Sequence, residues 1–295
     1  MRRHIWVIAA GVLALVAILV VRNQVKVYRG RQAAALAMEQ RQRLAQQAPD
    51  VVRRQALLDM LQPVALANCQ LERFGETHDG GYLMCANLLN GVASGYSYGI
   101  SGYDQWGCDI STRLGVPVHQ YDCFNLTQPV CPSGRTVFHA ECVGDTAGTL
   151  DGRTFDTMKG QFERNGDGSR RLVLKMDVEG AEWRSLLSAP DEVLAQIDQL
   201  AIEFHWLKDD DGRWEQEHTH LLVLQRLKQY FEIAHLHFNN AGCVGGLEPF
   251  PTWAYEVLFV SKRLAVVDPS RTVGGPHPLD ALNNPSLPDC RPTAR

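Results

Sequence analysis

The chain has 295 residues, 45% hydrophobic and 21% charged, an ordinary globular composition large enough for one sizeable domain plus attachments. The net charge of −4 is uneven: residues 1–60 hold ten Lys/Arg against three acids, which makes them +7 and leaves −11 for the rest. An acidic body excludes nucleic acid as the main partner.

Ile5–Val21, IWVIAAGVLALVAILVV, is seventeen residues without a charge. That run is long for a signal-peptide core and no small-residue cleavage site follows it, so it reads as an uncleaved single-span anchor in a lipid bilayer. Arg22, Lys26, Arg29 and Arg31 after the span outnumber Arg2 and Arg3 before it. The positive-inside rule then favours a cytoplasmic body. The anchor with its basic flanks occupies 1–29. Residues 30–61 are rich in Ala, Gln, Arg and Leu and read as a helical stalk, interrupted near Pro49, with a possible self-association surface.

The body, 62–263, begins near Pro63. RFGETHDGGYLMC places an Asp-Gly-Gly turn before a short strand. GYSYGIS reads as a strand, QWGCDISTRLG as a helix ending at Gly115, and PVHQYDCF as a strand ending on Asp122. TVFHAECVGD reads as a strand ending on Asp145, and RLVLKMDVEG as a further strand. EWRSLLSAPDEVLAQI is helical, QLAIEFHW a strand, and RWEQEHTHLLVLQRLKQYF an amphipathic helix. FEIAHLHF and AYEVLFVSK are the last strands, and 264–295 is an irregular tail rich in Pro, Gly and Asn. The alternation predicts an α/β fold, a mostly parallel sheet with helices on both faces.

Eight cysteines show no Cys-x-x-Cys or regular Cys/His spacing, which argues against structural zinc. Disulfides and free thiols both stay open. One sequon, NLT, begins at Asn125.

In an open α/β sheet, ligands bind outside the carboxyl ends of the strands. Asp177 and Glu179 are i and i+2, so an extended chain points them the same way. Gly180 permits a tight turn into the next helix, whose first turn carries Glu182, where a carboxylate suits the dipole. The turn after the first strand holds Gly99, Ser101 and Gly102 in a spacing that is not G-x-G-x-x-G. Asp122 ends the next strand, where an acid can hold the two hydroxyls of a ribose. A nicotinamide dinucleotide and S-adenosylmethionine both satisfy that pattern.

RFGETHDGGYLMC, YSYGIS, YDCFN, LKMDVEGAEW and LAIEFH occur in this order. Together they resemble the FkbM-type methyltransferases, and more closely the methyltransferase-like branch often carried behind an N-terminal membrane anchor. The resemblance spans Cys69 to Lys262, and K-x-D-V-E-G-A-E is its most specific part. It implies a Rossmann-like class I S-adenosylmethionine-dependent methyltransferase fold, a seven-stranded sheet whose last strand is antiparallel. Carried over, Gly99 and Ser101 would cradle the methionine part of the cofactor, Asp122 its ribose and Asp145 its adenine. Asp177 and Glu179 would face the reacting centre, with Asp177 also against the cofactor. The chain departs from the fuller G-x-G-x-G of the class at Ser101, and Gly102 is displaced by one.

Methyl transfer to a hydroxyl benefits from a general base. His205, at the end of LAIEFHW, is the candidate, acting as neutral imidazole. His235 and His237 share a strand face and could line an acceptor pocket. His218 and His220 fall in a helix, on a side read as solvated. Asp177, Glu179 and His205 also have the chemistry of a magnesium or manganese set, but no metal is assigned. The expected activity is methylation of a hydroxylated acceptor such as a sugar or glycan. A non-catalytic membrane adaptor and a dinucleotide-dependent oxidoreductase are the alternatives.

Overall fold

A computed structural model of the chain describes residues 49–209, 212, 214 and 218–290. The expected anchor and most of the expected stalk lie outside these residues. Among the described residues no helix is long and apolar enough to cross a membrane. The chain divides after Val52, and the folded body runs from Arg53 onward.

Helix α1 spans Pro49–Met60, and a hairpin of β1 (Leu71–Gly75) and β2 (Gly81–Cys85) comes next. Then come β3 (Ser94–Tyr98), α2 (Gln105–Leu114), β4 (Pro117–Tyr121) and β5 (Arg135–His139). Three short strands, β6 (Cys142–Val143), β7 (Gly148–Leu150) and β8 (Arg153–Asp156), form a separate small sheet. After them run α3 (Met158–Arg164), β9 (Leu172–Met176), α4 (Ala181–Ser188), α5 (Asp191–Gln196) and β10 (Ile197–His205). The last elements are α6 (His218–Tyr230), β11 (Phe231–Phe238) and β12 (Ala254–Ser261).

The main sheet has seven strands in the order β11-β12-β10-β9-β3-β4-β5. Pairs β10/β9, β9/β3, β3/β4 and β4/β5 are parallel, whereas β12 runs antiparallel to both β10 and β11. The expected mostly parallel sheet is therefore present. From β3 the chain winds outward first to β4 and β5, then to the other side through β9 and β10. The switch point lies between β3 and β9, and in open α/β sheets ligands bind outside the carboxyl ends of the strands at such a point.

Both faces of the central strands are covered, so alternate residues serve two cores. Leu172, Leu174, Met176, Leu200, Ile202 and Phe204 enter one, against Trp183 and Leu186 of α4 and Leu224 and Leu227 of α6. Val173 and Ala201 enter the other, against Trp106 and Ile110 of α2 and Phe74, Tyr82 and Met84 of the hairpin. That second face is closed by a hairpin as much as by a helix, unlike the helices expected on both faces. Gln199 ties the hairpin to β10, accepting from Cys85 N and donating to Cys85 O, both at 2.9 Å.

Four readings of the sequence change. The body starts earlier than Pro63, because Leu57 and Leu61, assigned to the stalk, are fully buried in the core. Burying each contributes about 1.5–3 kcal/mol. TVFHAECVGD is two strands in two sheets, broken after His139. The helix expected over 182–197 breaks at Ala189 and Pro190, since proline cannot donate to the preceding turn. The tail is irregular but packed: Asn240 donates to Asn284 O at 2.9 Å and Cys290 is bonded to Cys243. All eight cysteines pair, as Cys69–Cys85, Cys108–Cys131, Cys123–Cys142 and Cys243–Cys290, so the free-thiol alternative falls.

Candidate functional site

Strand β9 ends at Met176, one residue before the acids begin. Asp177 still donates its N–H to Tyr98 O at 3.1 Å, but the chain then turns at Glu179 (φ +52°) and Gly180 (φ +100°). The two acids are therefore not successive side chains of an extended strand, as the i, i+2 spacing suggested. A Cβ on Gly180 would stand 2.4 Å from Leu207 Cδ1, so the glycine answers both a positive φ and a close approach.

The turn nevertheless brings Asp177, Glu179 and His205 together. His205 Nε2 lies 3.8 Å from Asp177 Oδ1 and 3.7 Å from Glu179 Oε2. Its ring is held from the other side: Nδ1 is 3.2 Å from Glu182 Oε1, which also accepts from His205 N at 2.7 Å. Glu182 Oε2 accepts from Gly180 N at 2.8 Å. Glu182 is fully buried, so the residue read as a helix-start charge is a clamp between α4 and the end of β10.

Three further residues complete the cluster. Glu203, two positions before His205 and on the same strand face, is buried and accepts from Asn239 Nδ2 at 2.6 Å. Tyr82 OH donates to Asp177 Oδ2 at 3.2 Å. Lys175, the lone charge in an apolar strand, is buried; its Nζ donates to Gly99 O at 2.5 Å and stands 3.3 Å from Asp177 Oδ2. Sequence reasoning gave none of these a role. The available signal was a charge inside a β-run with both faces covered, which must have a partner.

Burial, reinforced by the negative charges of Asp177 and Glu256, pushes the Glu203 carboxyl well above its usual range. Burial alone would lower His205, but the hydrogen bond and charge of Glu182, with Glu203 and Asp177, outweigh it and raise the imidazole to about 9. At neutral pH His205 is thus an imidazolium. This corrects its expected role as a neutral base: here it is a proton donor and a positive charge. Asp177, Glu203 and His205 each bring one ligand atom within 4.8 Å of the others, a donor set able to hold a cation.

The expected cofactor residues divide. Gly99 (φ +72°) ends β3 against β9, and a Cβ there would lie 1.6 Å from Asp177 O. Its conformation serves strand packing. Ser101 lies in the adjoining turn at φ +46°. Asp122, just past β4, accepts four backbone N–H bonds. Oδ2 takes Ile100 N (3.1 Å) and Ser101 N (2.7 Å); Oδ1 takes Phe124 N (2.8 Å) and Asn125 N (3.0 Å). Asn125, of the sequon, donates its side-chain amide to Ser101 O at 2.7 Å. Two oxygens offer about four lone-pair sites, so these bonds fill Asp122. Asp145 is not brought to the cluster. It is exposed in the turn after β6, in the small sheet.

The remaining histidines sit elsewhere. His235 and His237 share a face of β11 but are covered by the tail, with His235 Nε2 2.8 Å from Asp280 Oδ1 and His237 Nε2 3.2 Å from Asn283 Oδ1. His235 lines a small cavity with Tyr82, Ala201 and Glu256, and His237 does not. His218 is exposed, as expected. His220 is not: it is buried, stacked on Trp183 with ring centroids 3.7 Å apart.

No protein-family model, no curated protein and no solved structure matches this chain.

Proposed function

We propose that this chain is a membrane-anchored member of the FkbM-type group, an S-adenosylmethionine-dependent class I methyltransferase acting on a hydroxylated acceptor such as a sugar or glycan. One observation carries the reading. The sheet is doubly wound from β5 through β10 and then receives a single reversed strand, β12, between β10 and β11. An antiparallel last strand is what the resemblance implies, and it counts against a dinucleotide-dependent oxidoreductase. The polar cluster at the ends of β9 and β10 supports a reacting centre at the switch point.

The ribose contact does not fit the turns as they stand. Asp122 has no free lone pair, and a diol would have to displace Ile100 N and Ser101 N from Oδ2. This observation favours a second reading, an adaptor that keeps the fold without the cofactor. The four disulfides favour it too. They support a body facing an oxidising compartment, lumenal or extracellular, in place of the cytoplasmic one expected from the flanking charges. S-adenosylmethionine is made in the cytosol and would need delivery across the membrane.

Titration of the full chain in detergent micelles with S-adenosylhomocysteine separates the readings. The methyltransferase reading expects micromolar binding with changed amide exchange at Ile100 and Ser101 as the turn releases Asp122. A folded chain that binds none overturns it and selects the adaptor.

A further inference from the structure

Asp177, Glu203 and His205 are each held by one atom from behind while facing a common point. Asp177 Oδ2 takes Tyr82 OH and Lys175 Nζ, and its Oδ1 faces His205. Glu203 Oε1 takes Asn239 Nδ2. His205 turns Nδ1 to Glu182 and Nε2 forward. A carboxylate behind an imidazole is the arrangement that fixes the tautomer and orientation of a metal-ligating histidine.

We propose that these three residues form a site for one hard divalent cation, Mn²⁺ or Mg²⁺, with the exposed Glu179 as a fourth arm. The spacing fits. Nε2 stands 3.8 Å from Asp177 and 3.7 Å from Glu179, too far for hydrogen bonds, and the three principal ligand atoms lie within 4.8 Å of one another. Ligands sharing a six-coordinate ion at about 2.1 Å stand roughly 3–4.3 Å apart, so an ion needs only a small inward shift.

The histidine is the second, independent observation. Its side chain is 3% exposed, and among the described residues Nε2 has no hydrogen-bond partner. Carboxylates with one imidazole suit the manganese and magnesium class better than thiolate-seeking metals, and the ion must displace the proton on His205 Nε2 and the one that burial favours on Glu203. Lys175 opposes the ion through Asp177, though its charge is shared with Gly99 O, and the affinity expected is micromolar rather than nanomolar.

The site lies in the cluster that the methyltransferase reading takes as its reacting centre, and it is tested without cofactor or acceptor. Manganese chloride is titrated into the full chain in detergent and the free Mn²⁺ signal followed by electron paramagnetic resonance. The expected result is one ion withdrawn per chain, displaced by excess magnesium. Binding should weaken by about tenfold or more in Asp177→Asn and in Glu203→Gln. Both are near-isosteric, circular dichroism checks their folding, and either folded variant alone decides. An unchanged free signal with wild type, or wild-type affinity in a folded variant, overturns the proposal. Manganese binding without S-adenosylhomocysteine binding would leave the site standing and remove the methyltransferase reading.

Discussion

Replacing Glu182 by Gln removes a buried charge while keeping the shape of the clamp between α4 and β10. In the native chain one oxygen serves both His205 N and His205 Nδ1, and the other serves Gly180 N. Gln keeps one acceptor, so one buried donor loses its partner, at about 1–3 kcal/mol. The larger effect is on charge. With the carboxylate gone, His205 loses its two strongest upward influences, leaving only Glu203 and Asp177 against burial, and falls from about 9. The full rise from 6.5 to about 9 is worth about 3.4 kcal/mol, at about 1.4 kcal/mol for each pH unit, and most of it is lost with Glu182. The sign is set by linkage. A pKa raised on folding gives stability that is fully present below pH 6.5 and is lost as pH rises through about 9. Wild-type unfolding free energy should therefore drop by about 3 kcal/mol across that window, and the variant should show a clearly smaller drop. Urea unfolding across the window measures the first, and the imidazole NMR shift of His205 measures the second. A flat wild-type profile, or a variant His205 still titrating near 9, would refute the reasoning.

Two other perturbations test the frame around the site. Gly99→Ala drives a Cβ to 1.6 Å from the carbonyl of Asp177, an atom that cannot rotate away. Its cost should exceed the roughly 1–3 kcal/mol of left-handed backbone strain alone. A thermal melt unchanged from wild type would show that the two strand ends do not meet there. Cys243→Ser opens a bridge of sequence separation 47, with an expected loss of about 4 kcal/mol in the chain-entropy account. Limited proteolysis should then cut within 264–290 first. Unaltered stability and cleavage would mean that the bridge does not hold the tail.

The strands were legible where their pattern is local. FEIAHLHF is Phe231–Phe238 without correction, and QWGCDISTRL is helix α2 up to Gly115. Local chemistry explains both: β-type residues bounded by a helix end, and a run begun by Asp104, which accepts from Gly107 N. Asp177, Glu179 and His205 were also found from sequence, because acids and histidines at strand ends stand out against apolar interiors. Glu182 was visible only as a helix-start acid. Its partner lies 23 residues on, and no local rule connects them. His220 misled for the same reason. Only the stacked Trp183 shows which side of α6 is dry.

The sequence by itself determined the alternation of elements and the collection of acids at the carboxyl ends of the strands. These arise from residue periodicity and from the cost of burying charge between two covered faces. Tertiary structure decided the protonation of His205, the filling of Asp122 by four backbone donors and the pairing of the cysteines. Each of those depends on which distant atoms come within a few ångströms, and both hydrogen bonds and the electrostatics of a buried group are set at that range.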